Sequence, residues 1–116
     1  SGLVAQATAL LAQARSAEEL TRRRIEVEYR SARMAVDEAF KRAATTGKAV
    51  ELASEALRVV QEKYRVGLGS SIEVIDAQVA LTQAQANRAQ AAADYRSSLA
   101  RWSLATGEDV LEARQP

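Results

Sequence analysis

The chain has 116 residues and a mass of 12.5 kDa, with 16 basic and 15 acidic side chains for a net charge of +1, a balance that argues against nucleic-acid binding. It contains no Cys and no His, which removes disulfides, thiolate metal sites, thiol nucleophiles and the commonest general base, and so argues against an enzyme or a metal or cofactor site. The 47% hydrophobic content is mostly Ala and only 4% is aromatic, which suits elongated helical packing better than a compact core, and no apolar run approaches the roughly 20 residues of a membrane span.

In chain order, the first expected element is a helix over residues 3–66. In its latter part small or apolar residues recur at steps of three and four: Ile25, Tyr29, Ala32, Val36, Ala39, Ala43, Val50, Ala53, Leu57, Val60 and Tyr64. Thr45-Thr46-Gly47 is the weak point, since an interior Gly costs about 1 kcal/mol relative to Ala. A loop there would give a three-helix bundle. The heptad Val36, Ala43, Val50, Leu57 and Tyr64 keeps its phase across Gly47, however, and this favours one continuous helix. Before Ile25 the stripe moves to Leu3, Ala7, Leu10, Ala14 and Ala17, the pattern of a stutter.

A turn is expected over residues 67–70. Gly67 suits the left-handed position past a helix end, with Leu68 folding back onto the last turn. Ser70-Ser71-Ile72-Glu73 reads as a capping box, the Ser70 hydroxyl accepting from the Glu73 N–H and the Glu73 carboxylate from the Ser70 N–H. A second helix then spans residues 71–106, Gly107 ends it, and the tail of residues 107–116 has room for one turn at residues 110–113. The fold class is therefore all-α, a long antiparallel coiled-coil-like hairpin. At 1.5 Å per residue the helices would be about 95 and 53 Å long. The second covers little more than half of the first, and the apolar stripe of residues 3–32 needs a cover from outside the hairpin.

The second helix has more than one apolar face. One stripe carries Val74, Ala77, Leu81, Ala84, Ala91, Tyr95 and Trp102; another, roughly opposite, carries Ile75, Val79, Ala86 and Ala93. Between them run a polar stripe of Asp76, Gln83, Asn87, Gln90, Asp94 and Arg101 and another of Gln78, Thr82, Gln85 and Arg96. Such a helix has a neighbour on each side and water in front and behind, as in the wall of a helical tube. The pattern fits equally a small bundle whose Ala residues serve helix propensity. Arg22, Arg23 and Arg24 point about 100° apart and read as a solvated face, while Tyr95 and Trp102 read as packing residues.

Tyr64-Arg65-Val66-Gly67, Ile72-Glu73-Val74-Ile75-Asp76-Ala77-Gln78, Leu81, Ala84, Ala89, Asp94-Tyr95, Leu99 and Leu104-Ala105-Thr106-Gly107 together resemble the TolC-type outer-membrane efflux proteins. The match follows that family's order of Tyr-x-x-Gly, Val-(Leu/Ile)-Asp-Ala, Asp-Tyr and a closing Ala-x-Gly. The opening Ser1-Gly2-Leu3-Val4 is similar to the family's passage from barrel to long helix. The resemblance is specific from Tyr64 to Gly107 and compositional before that. It implies one helical half, the second, of a homotrimeric duct whose periplasmic tube passively conducts cargo in efflux or type I secretion. The tube's tip meets a periplasmic adaptor and an inner-membrane pump. The implied location is the periplasmic part of a Gram-negative outer-membrane protein, attached to the membrane only through β-barrel strands that this sequence lacks. The absence of a signal peptide is expected if it has been removed or if the chain is a fragment.

Residue by residue, the resemblance implies that Val66, Gly67 and Leu68 form the adaptor-docking tip and that Tyr64, Glu73 and Asp76 belong to the pore constriction. Three copies of the two acids would make carboxylate rings that favour cations and bind multivalent ones. Each residue also has a plainer reading: Gly67 as an ordinary helix stop, Glu73 as a capping acid, Asp76 as a first-turn acid on the helix dipole, Tyr64 as the last heptad core residue. The Arg with which some members lock the gate has no counterpart in Gly69-Ser70. An alternative role is the coiled-coil hairpin of the adaptor itself, although no alternating β segment flanks the helices here.

Overall fold

The computed structural model describes residues 1–107, all helical apart from the first residue, the interhelical turn and Gly107, with no strand among them. The expected turn at residues 110–113 lies outside the described residues. Helix α1 spans Gly2–Arg65 and helix α2 spans Ser71–Thr106. The chain therefore has the expected all-α, coiled-coil-like hairpin fold, with boundaries one residue from those read in the sequence. Helix α1 passes through Gly47 without interruption. Thr45 and Thr46 are helical and donate their hydroxyls to the carbonyls of Lys41 (3.0 Å) and Arg42 (2.9 Å), and the surface ion pairs Glu38–Arg42, Glu55–Arg58 and Glu62–Arg65 lie along the same helix. No described helix is long and apolar enough to cross a membrane.

The chain divides into two packing units. In the unit of Ala35–Ala100 the helices meet along a seam with coiled-coil spacing. Val36, Ala39, Ala43, Val50, Ala53, Leu57 and Val60 supply it from α1; Val74, Ala77, Leu81, Ala84, Ala91 and Tyr95 supply it from α2. All of these are buried or half-buried. Ala39, Leu57 and Ala91 are its buried members and the rest are half-buried, so small side chains let the backbones approach and Leu57 is the one large buried anchor. Antiparallel register is set by two contacts. Arg42 Nη1 donates to Asp94 Oδ2 at 3.1 Å, and the Phe40 and Tyr95 rings lie 5.8 Å apart at 57°.

One expectation needs correction here. Tyr64 is not the last seam residue: it is 54% exposed, and the seam ends at Val60. Of the two apolar stripes on α2, Ile75 and Val79 belong to the outer one. They are 60% and 63% exposed, on the outer side of α2, while Val74, Ala77 and Leu81 turn inward.

The other unit comprises Ser1–Met34 and the chain from Arg101 onward. Here Ala32 is buried, Arg101 Nη2 donates to Ser31 Oγ at 3.3 Å, and Trp102 is half-buried with its indole N–H closed off from solvent and without an acceptor. Ile25 and Tyr29, part of the stripe over residues 3–32 expected to lack cover within the hairpin, are exposed and border an open groove with Ala105 and Thr106. The apolar residues nearer the start are also uncovered, Leu3 being 79% exposed. Arg22, Arg23 and Arg24 are exposed as expected, with Arg23 paired to Glu19 at 2.8 Å.

Candidate functional site: the hairpin tip and the first turns of α2

The tip follows from two glycines and a serine. Gly67 adopts φ = 80°, the left-handed conformation that an L side chain resists. With that reversal its N–H donates to Tyr64 O at 3.1 Å, and the Leu68 N–H donates to Lys63 O at 2.8 Å. These are the paired bonds of a Schellman stop, which satisfy carbonyls that the end of α1 would otherwise leave open. Gly69 is required for a different reason. A Cβ there would lie 3.2 Å from Lys63 Cβ and 3.3 Å from Tyr64 N, so a side chain would crowd the close approach of the turn to the end of α1.

Ser70 caps α2, its Oγ accepting from the Glu73 N–H at 3.2 Å. The return half of the capping box does not form. Glu73 Oε2 lies instead over Gly69, 3.3 Å from where a Cβ would stand. Nor does Leu68 fold its side chain onto the last turn. The backbone makes the expected bond, but the side chain is 82% exposed.

The tip is accordingly a small apolar surface: Tyr64, Val66, Leu68 and Ile72 are all exposed. Beside it Arg65 holds Glu62, with Nε–Oε2 at 3.0 Å. That hydrogen bond lowers the Glu62 carboxyl below its usual range and raises Arg65. The structure thus brings Val66, Gly67, Leu68 and Glu73 into one turn. Asp76 stands apart, one turn into α2, exposed and without an ion pair or hydrogen bond. It heads the polar stripe, which is zipped along its length by Gln83 to Asn87 and Gln90 to Asp94 hydrogen bonds, both 2.9 Å.

Both helices of the Ala35–Ala100 unit also carry a second, outer apolar stripe. On α2 it is Ile72, Ile75, Val79 and Ala86, all exposed; on α1 it is Ala49, Leu52, Ala56 and Val59, also exposed. The α1 stripe escaped the sequence reading, although Leu52, Val59 and Val66 repeat at sevens as regularly as the seam does. Comparison with protein-family models, with curated proteins and with solved structures finds no match to this chain.

Proposed function

We propose that this chain is a wall segment of a TolC-type periplasmic tunnel, a passive conduit whose hairpin tip docks a periplasmic adaptor. The observation that carries this reading is the pair of outer apolar stripes. An isolated two-helix hairpin needs one apolar seam, whereas a hairpin in a closed wall needs a seam and two flanks. Leu52 and Val59 supply one flank; Ile72, Ile75 and Val79 supply the other. Water on the remaining two faces accounts for the Asp76 to Asp94 stripe on one side and Gln78, Thr82 and Gln85 on the other. The alternative, the hairpin of an adaptor, leaves both flanks facing solvent for no purpose.

In this reading the α1 flank of one copy packs on the α2 flank of the next, a head-to-tail contact that closes into a ring. Three copies belong to the trimeric parent, and the apolar tip of Val66 and Leu68 meets the adaptor. Tyr64, Glu73 and Asp76 lie at the narrow end, where exposed carboxylates repeated by symmetry select for cations.

The test is disulfide trapping between copies. In the hairpin register Val59 and Val79 stand at similar heights on opposite outer sides, so they cannot be bridged within one chain. Mixing Val59→Cys with Val79→Cys protein under mild oxidant should give mixed dimers well in excess of either like-with-like dimer. Like-with-like dimers in equal or greater amount would reject the wall reading.

A further inference from the structure

The seam of the Ala35–Ala100 unit contains one layer with almost nothing in it. Steps of three and four along α2 run from Ala77 to Leu81 and Ala84, and then to position 88 before reaching Ala91 and Tyr95. Position 88 is Arg. Arg88 is exposed and makes neither an ion pair nor a hydrogen bond, and every residue from 85 to 90 is exposed as well. Counting back six residues from Asp94, whose partner is Arg42, brings Arg88 level with the stretch of α1 that holds Thr46 and Gly47.

That stretch is equally poor in packing. Thr46 is half-buried, but its hydroxyl is turned back onto its own helix, at 2.9 Å from Arg42 O and 3.0 Å from Ala43 O. Such back-bonding weakens and bends helices slightly. Gly47 contributes no side chain, and a Cβ built on it meets no atom within 4 Å, so the space beside it is open. On the tip side of this layer lie Val50, Leu57 and Val60 against Val74 and Leu81. On the other side lie Ala39, Ala91, the Arg42–Asp94 bridge and the Phe40–Tyr95 pair.

We propose that the Thr46, Gly47 and Arg88 layer is a parting point built into the hairpin, where the two helices separate locally while the packed blocks on either side stay closed. The inference stands on the seam alone and is independent of the tunnel reading. Its physical basis is that local opening follows the distribution of buried apolar contacts and intrinsic helix strength. Here a charged side chain stands at a seam-spaced position, level with a stretch of α1 that holds Thr46, its hydroxyl bonded back to its own helix, and the open space beside Gly47. A polar residue at a seam position lowers stability at that layer and at the same time fixes register.

Amide hydrogen exchange of the full chain, read by mass spectrometry, tests this. Peptides covering residues 45–50 and 85–90 should exchange roughly 4- to 15-fold faster than those covering 53–60 and 74–81, the ratio expected from losing the burial of one or two methylene groups. Filling the layer with Arg88→Leu should bring the two sets to within about threefold, whereas Arg88→Gln, which removes the charge without filling the seam, should leave the difference in place. Uniform exchange in the unaltered chain overturns the proposal. So does an Arg88→Leu variant with unchanged exchange, or an Arg88→Gln variant that slows as much as the Leu variant.

Discussion

Replacing Leu57 with Ala removes the one large side chain that is buried among the described residues; Ala32, Ala39 and Ala91 are the other buried ones. The loss is three carbons' worth of transfer free energy, about 2 to 2.5 kcal/mol at roughly 0.8 kcal/mol per methylene. A closed core would add a cavity term. A two-helix seam adds little, because water and neighbouring side chains reach the vacated space, so the expected cost is about 2–3 kcal/mol, at the low end for buried Leu to Ala changes. Urea unfolding followed by far-ultraviolet circular dichroism should then show a midpoint lowered by about 1–3 M, given a slope of about 1–2 kcal/mol/M for a chain of this size. Leu52 provides the control. It is 71% exposed on the outer face, and Leu52→Ala should stay within about 0.5 kcal/mol in the monomer. Equal losses at both positions, measured where sedimentation finds only monomer, would refute the assignment of Leu57 to the seam and Leu52 to the flank.

At the tip, Gly67→Ala should cost about 1–2 kcal/mol from the left-handed backbone alone, since its Cβ would meet nothing within 4 Å; a thermal unfolding curve that does not move would contradict this. Ser70→Ala should cost about 0.5–2 kcal/mol through loss of the cap on the Glu73 N–H, and Ser70→Asp should restore most of it, so equal stability of all three chains would remove the cap from the account. The carboxyls of Glu55 and Glu62 are lowered by hydrogen bonds from Arg58 and Arg65. Groups with depressed folded values contribute stability that is present above their unfolded value and lost as pH falls through the carboxylate range. Both pairs are fully exposed, so the effect should be small and suppressed by salt. The Glu55→Gln, Glu62→Gln double variant should flatten the acid limb of the stability curve at low ionic strength, and an unchanged limb would assign acid sensitivity elsewhere.

What could be read from the sequence was whatever depends on a few adjacent residues. Gly67 as the reversal, Ser70 as the cap and Gly107 as the second stop follow from local backbone chemistry, and Gly107 indeed takes φ = 71°. Continuity through Gly47 was legible because the heptad phase carried across it. What could not be read was which of two apolar stripes on a helix meets the partner. Val74 and Ile75 are adjacent, and only the crossing of the helices decides that Val74 turns inward. The same limit hid the Arg42–Asp94 bridge, whose partners lie 52 positions apart, and the Phe40–Tyr95 pair. Tyr64 and Leu68 were misjudged because a residue at a hairpin end meets seam packing on one side only. For Asp76 the structure adds exposure and freedom from partners, features shared by a lumen-lining acid and a helix-capping one.

In the proposed tunnel reading Asp76 faces a shared lumen, and single-channel recording of the trimer that this reading implies, with and without a trivalent cation, tests it most directly. Asp76→Ala removes three symmetry-related charges at once, so block by the trivalent ion should weaken strongly while docking at Leu68, on the far side of the turn, is retained. If Asp76 only stabilises the start of α2, the variant loses about 0.3–1 kcal/mol of stability and block is unchanged, a result that would contradict the account.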